Sequence, residues 1–178
     1  MGRNMQPEGS VTVLPGGSAV GSLVAWNPGG PWDLEAPFPL LERRALDPSL
    51  GLALLRVEGG VPLPLAPAPP RAGTELAAGP GFADRQVLQP CLVTERLPDG
   101  LFLFRGSILP SSVGAPLVNR RSELVGVVLG RPEGYPGHDY NLAADSSILL
   151  EWSEQGRVTS RPGPGWRRSP PRRAGGWR

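Results

Sequence analysis

One cysteine, one histidine and no lysine stand among the 178 residues, and each scarcity removes a class of chemistry. Cys91 alone excludes an intramolecular disulfide, and nothing in the cysteine usage demands an oxidising compartment. A His/Cys metal site is excluded as well, because His138 and Cys91 are the only members of their kinds and lie far apart. The glycine-rich stretches "GGPW" and "GPGF" lack the Lys and the strand-turn-helix setting of a phosphate loop, so no cofactor is expected. No stretch of about 18 apolar residues is long enough to span a bilayer, and no basic run followed by an apolar core opens the chain. The expectation is a soluble, intracellular protein.

With no lysine, all 18 basic residues are Arg, and seven of them fall in 156–178, where no Asp or Glu occurs. The 11 Arg before residue 156 stand against 16 acids, which leaves the body at −5 and the tail at +7. A body of that sign does not read as a nucleic-acid binder. The tail, residues 153–178, has no apolar period and reads as disordered; its Arg and two Trp suit an acidic surface, RNA or anionic lipid. Residues 1–9 read as a disordered N-terminus.

What is abundant is punctuation. The 25 Gly and 23 Pro argue for many short strands joined by turns, and the predicted class is all-β. "VTVLPGGSAVGSLVAW" (11–26) reads as a hairpin about Pro15-Gly16-Gly17. Residues 27–49 hold five Pro around a "LLERR" segment and are expected to form a loop with one helical turn around Leu40–Arg44. "LGLALLRV" (50–57), a continuous apolar run, has the pattern of a central strand buried on both faces.

"VPLPLAPAPPRAG" (61–73) has too many prolines for a ladder interior and is expected to cross the surface extended; a ligand for a proline-reading SH3 module is the lesser reading. "TELAAG", "QVLQPCLVTERL" and "LFLFRGSIL" follow as strands, the last two joined by the Pro98-Asp99-Gly100 turn. "LVN", the polar turn "RRSE" and the Val-dense "LVGVVLG" come next. Asn141–Ala143 is expected as the closing strand, and Asp145-Ser146 as the N-cap of a short helix through Trp152. The strands fall into two groups, 10–60 and 74–152 with its closing helix, joined by the crossing segment 61–73.

The order of "GLALLRV", "SILPSSVGAPLVN…SELVGVV" and "YNLAAD" resembles the trypsin-like serine peptidases in their HtrA/Deg-type form, over roughly 10–152. The resemblance implies a double β-barrel, here with a truncated first barrel. Counting back from Pro116, the family's nucleophilic Ser falls on Val113, and the Gly two before it falls on Ser111. The Asp that orients the catalytic His falls on Gly51, and His138 comes after the nucleophile loop instead of early in the first barrel. A triad needs a base within reach of a nucleophile and a third group fixing that base, and none of the three positions is filled.

The resemblance therefore implies a pseudopeptidase that binds a peptide or protein partner by β-augmentation along an edge strand formed by Val125, Gly126, Val127, Val128, Leu129 and Gly130. Oligomerisation is a further expectation, because a partial barrel exposes strand edges. The alternative is an active endopeptidase using Ser112 or Ser111 with His138 recruited as base, against the plain reading of two small residues in a tight turn and a surface histidine. A third reading places the function in the basic tail, with the β domain as its platform.

Overall fold

Val11–Leu14 (β1) and Ser18–Ser22 (β2) pair antiparallel across the Pro15-Gly16 turn, with Thr12 opposite Val20. The computed structural model describes residues 11–16, 18–22, 40–47, 52–79, 88–108, 112–132, 135 and 139–155. Within these, β2 pairs with Leu52–Val57 (β4) and β4 with Leu40–Asp47 (β3), giving a four-stranded sheet of order β1-β2-β4-β3. The apolar run at 52–57 is internal to this sheet, as its composition predicts, and Leu52 and Leu54 are fully buried.

The helical turn expected at Leu40–Arg44 is not formed; that segment is β3. Local charge spacing favoured a turn, but the backbone groups on the second side of β4 need partners, and 40–47 supplies them with two register shifts.

The second unit is a closed barrel of six strands in the order β10-β7-β6-β5-β8-β9. They are Glu75–Ala78 (β5), Gln89–Arg96 (β6), Leu101–Arg105 (β7), Pro116–Val118 (β8), Leu124–Gly130 (β9) and Tyr140–Asp145 (β10). All its neighbouring pairs are antiparallel, and the link between β10 and β9 closes the ring. The β6–β7 connection is a single 3-10 turn, Pro98–Gly100, in which both Asp99 (φ 58°) and Gly100 (φ 71°) take the left-handed conformation. Between β8 and β9, Asn119 Oδ1 accepts from the amides of Arg121 and Glu123 (2.9 and 3.1 Å), the device that makes "NRRSE" a turn.

β10 runs two residues beyond the expected Asn141–Ala143 at its C-terminal end and one before it, and Ser146–Gln155 (α1) continues past Trp152. Asp145 caps α1 as predicted: its Oδ1 accepts from the amides of Ser147 (2.9 Å) and Ile148 (3.2 Å). Among the described residues no helix is long and apolar enough to cross a membrane.

Two apolar cores follow from this topology. The barrel interior gathers Leu76, Val93, Phe102, Phe104, Leu117 and Val128. The second core lies between the units: Leu14, Val20, Leu52 and Leu54 of the sheet meet Leu124, Val127 and Ala144 of the barrel and Leu149 of α1. The proline-rich segment also joins this core. Leu63 and Leu65 turn inward against it, while Leu124 N–H donates to the Pro64 carbonyl (2.6 Å) and Ala66 N–H to the Leu124 carbonyl (2.9 Å). Extended backbone is what Pro62 and Pro64 impose on the residues before them, so the crossing lies along β9 with Leu65 in a parallel bridge to Leu124.

Gly126 is where β9 bends into the barrel. The register against β8 shifts between Leu117 and Val118, and a Cβ on Gly126 would sit 2.9 Å from the Phe102 ring and press on the Ala144 carbonyl. Gly126→Ala is expected to destabilise the fold by about 1–3 kcal/mol through overpacking. A lowered midpoint in chemical denaturation, with an unchanged slope, checks it.

Candidate functional site

The loop before β8 is a tight corner built on β9. Ala115 N–H donates to the Ser112 carbonyl (2.9 Å), closing the turn, and Gly114 within it has φ 88°. Two backbone bonds then hold the corner to the strand: Gly114 N–H to the Val128 carbonyl (2.8 Å) and Val128 N–H to the Ala115 carbonyl (3.0 Å). From the other unit, the Thr12 hydroxyl of β1 donates to the Gly114 carbonyl (2.8 Å) in a buried contact. The corner is thus fixed from both halves of the molecule.

Val113 stands at the apex, half-buried, with its Cγ2 at 3.6 Å from the place a Cβ would take on Gly130. Ser112 is buried at 3% exposure, so it turns no open hydroxyl toward a substrate. Ser111, Gly51 and His138 lie outside the described residues, as do the N-terminus 1–9 and the tail beyond 155.

The six-residue strand expected as an edge needs correction. Val125, Gly126, Val127 and Val128 are buried in a strand with neighbours on both sides: Pro116 and Leu117 of β8 pair with Val127 and Gly126, and Ala143, Ala144 and Asp145 of β10 pair with Val128, Val127 and Gly126. Closure of the barrel removes the edge. Past the last register pair with β8, Val128 is still bonded to the corner, and Leu129 and Gly130, both half-buried, follow it, with Gly130 paired to Leu142 of β10 on the other side.

Asp139 is bound by Arg105: Nε at 2.7 Å and Nη2 at 2.6 Å reach the same carboxylate oxygen. The hydrogen bond to Asp139, then its charge, raises the Arg105 pKa, and the guanidinium lies 5.6 Å from the Tyr140 ring centroid. Asn141 is buried and donates to the carbonyls of Gly106 (2.9 Å) and Asp139 (3.0 Å), tying the start of β10 to the end of β7. Burial pushes the Cys91 thiol pKa up, against a smaller lowering by a backbone hydrogen bond from Ala78. Among the described residues no three His, Cys, Asp or Glu side chains cluster as a metal site.

Sequence reasoning missed the Thr12 clamp and the Arg105–Asp139 pair. Neither carries a local signal: the partners are 102 and 34 residues apart, and only the closed topology brings them together.

A closed six-stranded barrel joined through a shared core to a smaller antiparallel sheet, with a hairpin-like corner feeding β8 and a C-terminal helix, is an architecture found in solved structures. The fold is trypsin-like, of the HtrA type. The inactive form of the Rv3671c protease of M. tuberculosis is 17% identical, with 83% of each chain covered and a TM-score of 0.64. The serine endoprotease from Yersinia pestis is 16% identical over 88% of this chain and 60% of that one, with a TM-score of 0.67. The HtrA-type protease AlgW with a decapeptide is 14% identical over 82% of this chain and 50% of that one, with a TM-score of 0.60. No protein-family model and no curated protein matches the sequence. In this trypsin-like scaffold, Val113 lies in the turn that leads into β8, next to the buried Ser112.

Thr12→Val keeps the shape of the clamp and deletes its donor. It is expected to cost about 1–3 kcal/mol, because the Gly114 carbonyl loses a buried partner. Denaturation midpoints measure the loss, and faster amide exchange at Gly114 localises it to the corner.

Proposed function

We propose that this chain is a catalytically inactive trypsin-like domain, a pseudopeptidase that acts by binding a peptide or a protein. The observation that carries the reading is the corner itself. An isopropyl group at Val113 has no lone pair with which to attack a carbonyl, and the neighbouring Ser112 is buried. Without a nucleophile and its base, the scaffold keeps only what binding needs, which is backbone and shape.

The segment that suits an extended ligand is Leu129–Gly130, beyond the last β8 pair and beside the Val113 side chain. An extended peptide docks on such a strand end by main-chain hydrogen bonds.

A fluorophosphonate probe, which reacts with activated serines, tests the inactivity on the folded full chain. The expected result is no labelling, with Ser111→Ala and Ser112→Ala indistinguishable from the parent protein. Labelling that one of those substitutions abolishes would establish an active endopeptidase and name its nucleophile.

A further inference from the structure

The outer wall of the barrel is covered unevenly. On one side Leu101, Val127 and Ala144 are sealed by the sheet, the crossing segment and α1. On the β5–β6 side no described residue covers the wall, and it is apolar there: Leu88 and Leu92 are exposed at 56% and 43%, with exposed Pro90 between them. Positions 88, 90 and 92 share one face by the two-residue period of a strand. Outward leucines on an uncovered sheet face mark a contact surface more than a solvated wall.

The residues flanking Leu92 give that surface a pattern. Its cross-strand partner on β5 is Glu75, and its partner on β7 is Arg105. One position further out, Tyr140 of β10 lies opposite Arg105, while Arg120 is ion-paired to Glu75. Read across the strands, the row runs Tyr140, Arg105, Leu92, Glu75, Arg120.

We propose that this wall is where two copies of the chain meet, related by a two-fold axis running parallel to β6 above Leu92. Such an axis exchanges the two flanks of the row and preserves direction along the strand. Arg105 then meets Glu75 of the second copy, Tyr140 meets its Arg120, and the stripe of Leu88, Pro90 and Leu92 meets itself. A two-fold axis across the strands sets Arg105 on Arg105 and Glu75 on Glu75, so charge complementarity selects between the two in-plane axes.

Both charges are already held in place within one copy, Arg105 by Asp139 and Glu75 by Arg120. Asp139 engages Nε and Nη2 of Arg105, which leaves the Nη1 donors of the fork for a carboxylate across the interface. Little side-chain freedom is left to lose on association. This inference goes beyond peptide binding and does not depend on the corner at Val113.

Sedimentation of the full chain over a range of concentrations tests it. The expected result is a monomer–dimer equilibrium whose dissociation constant rises about tenfold or more with Leu92→Glu. Glu75→Gln and Arg105→Gln each weaken the dimer, and the double variant weakens it by less than the two single effects multiplied, because either change alone already breaks the same contact. A parent chain that stays monomeric throughout, or a dimer unmoved by Leu92→Glu in a protein with unchanged circular dichroism, would overturn the proposal. Should Leu92→Glu disturb the fold, the charge series decides: single variants that leave the dimer unmoved, or effects that simply multiply in the double variant, also overturn it.

Discussion

The apolar joint between sheet and barrel is the contact on which the rest of the molecule depends. Leu14, Val20, Leu52 and Leu54 of the four-stranded sheet find cover on Leu124, Val127 and Ala144 of the barrel. Each leucine so buried contributes about 1.5–3 kcal/mol. The same joint recruits Leu149 from α1 and Leu63 and Leu65 from the crossing segment, so four separate stretches of chain are ordered by one core. Its position also decides the site: with β1 seated on the barrel, Thr12 comes within hydrogen-bond reach of Gly114 and the corner is clamped from outside.

A scaffold assembled in this way is independent of the chemistry its corner once suggested. The turn at 112–115, its two bonds to Val128 and its clamp from Thr12 use backbone groups and one hydroxyl, none of which needs a serine at 113. Valine at the apex adds an apolar contact toward Gly130 where a nucleophile would have to stand free. The corner therefore holds its shape whatever side chain stands at 113, and the proposed binding surfaces are the strand end beside Val113 and the wall of β5 and β6.

Where residue pattern and local turn chemistry agree, the structure was legible in advance. Pro15-Gly16, Pro98-Asp99-Gly100 and Asn119 mark turns through their own backbone preferences, and Asp145 marks a helix start through its carboxylate. The apolar run of β4 announced an internal strand because both of its sides are paired. β3 was hidden, since "LLERR" carries helix-like charge spacing and only the demand of the β4 backbone makes it a strand. Val125–Val128 looked like an edge because barrel closure by β10 is a long-range event that no local stretch encodes. At the site, the reading of Val113 as the nucleophile position rests on the resemblance alone, whereas the burial of Ser112 and the capture of Asp139 by Arg105 arise from packing.

Native-state amide hydrogen exchange on the full chain tests most directly whether sheet, corner and barrel are one cooperative unit. The account predicts that amides of β1, β2 and β4, together with those of Gly114 and Val128, share the protection of the barrel strands and open with them. Fast exchange throughout the sheet beside a fully protected barrel would contradict it, since the joint core would then not hold the two units together.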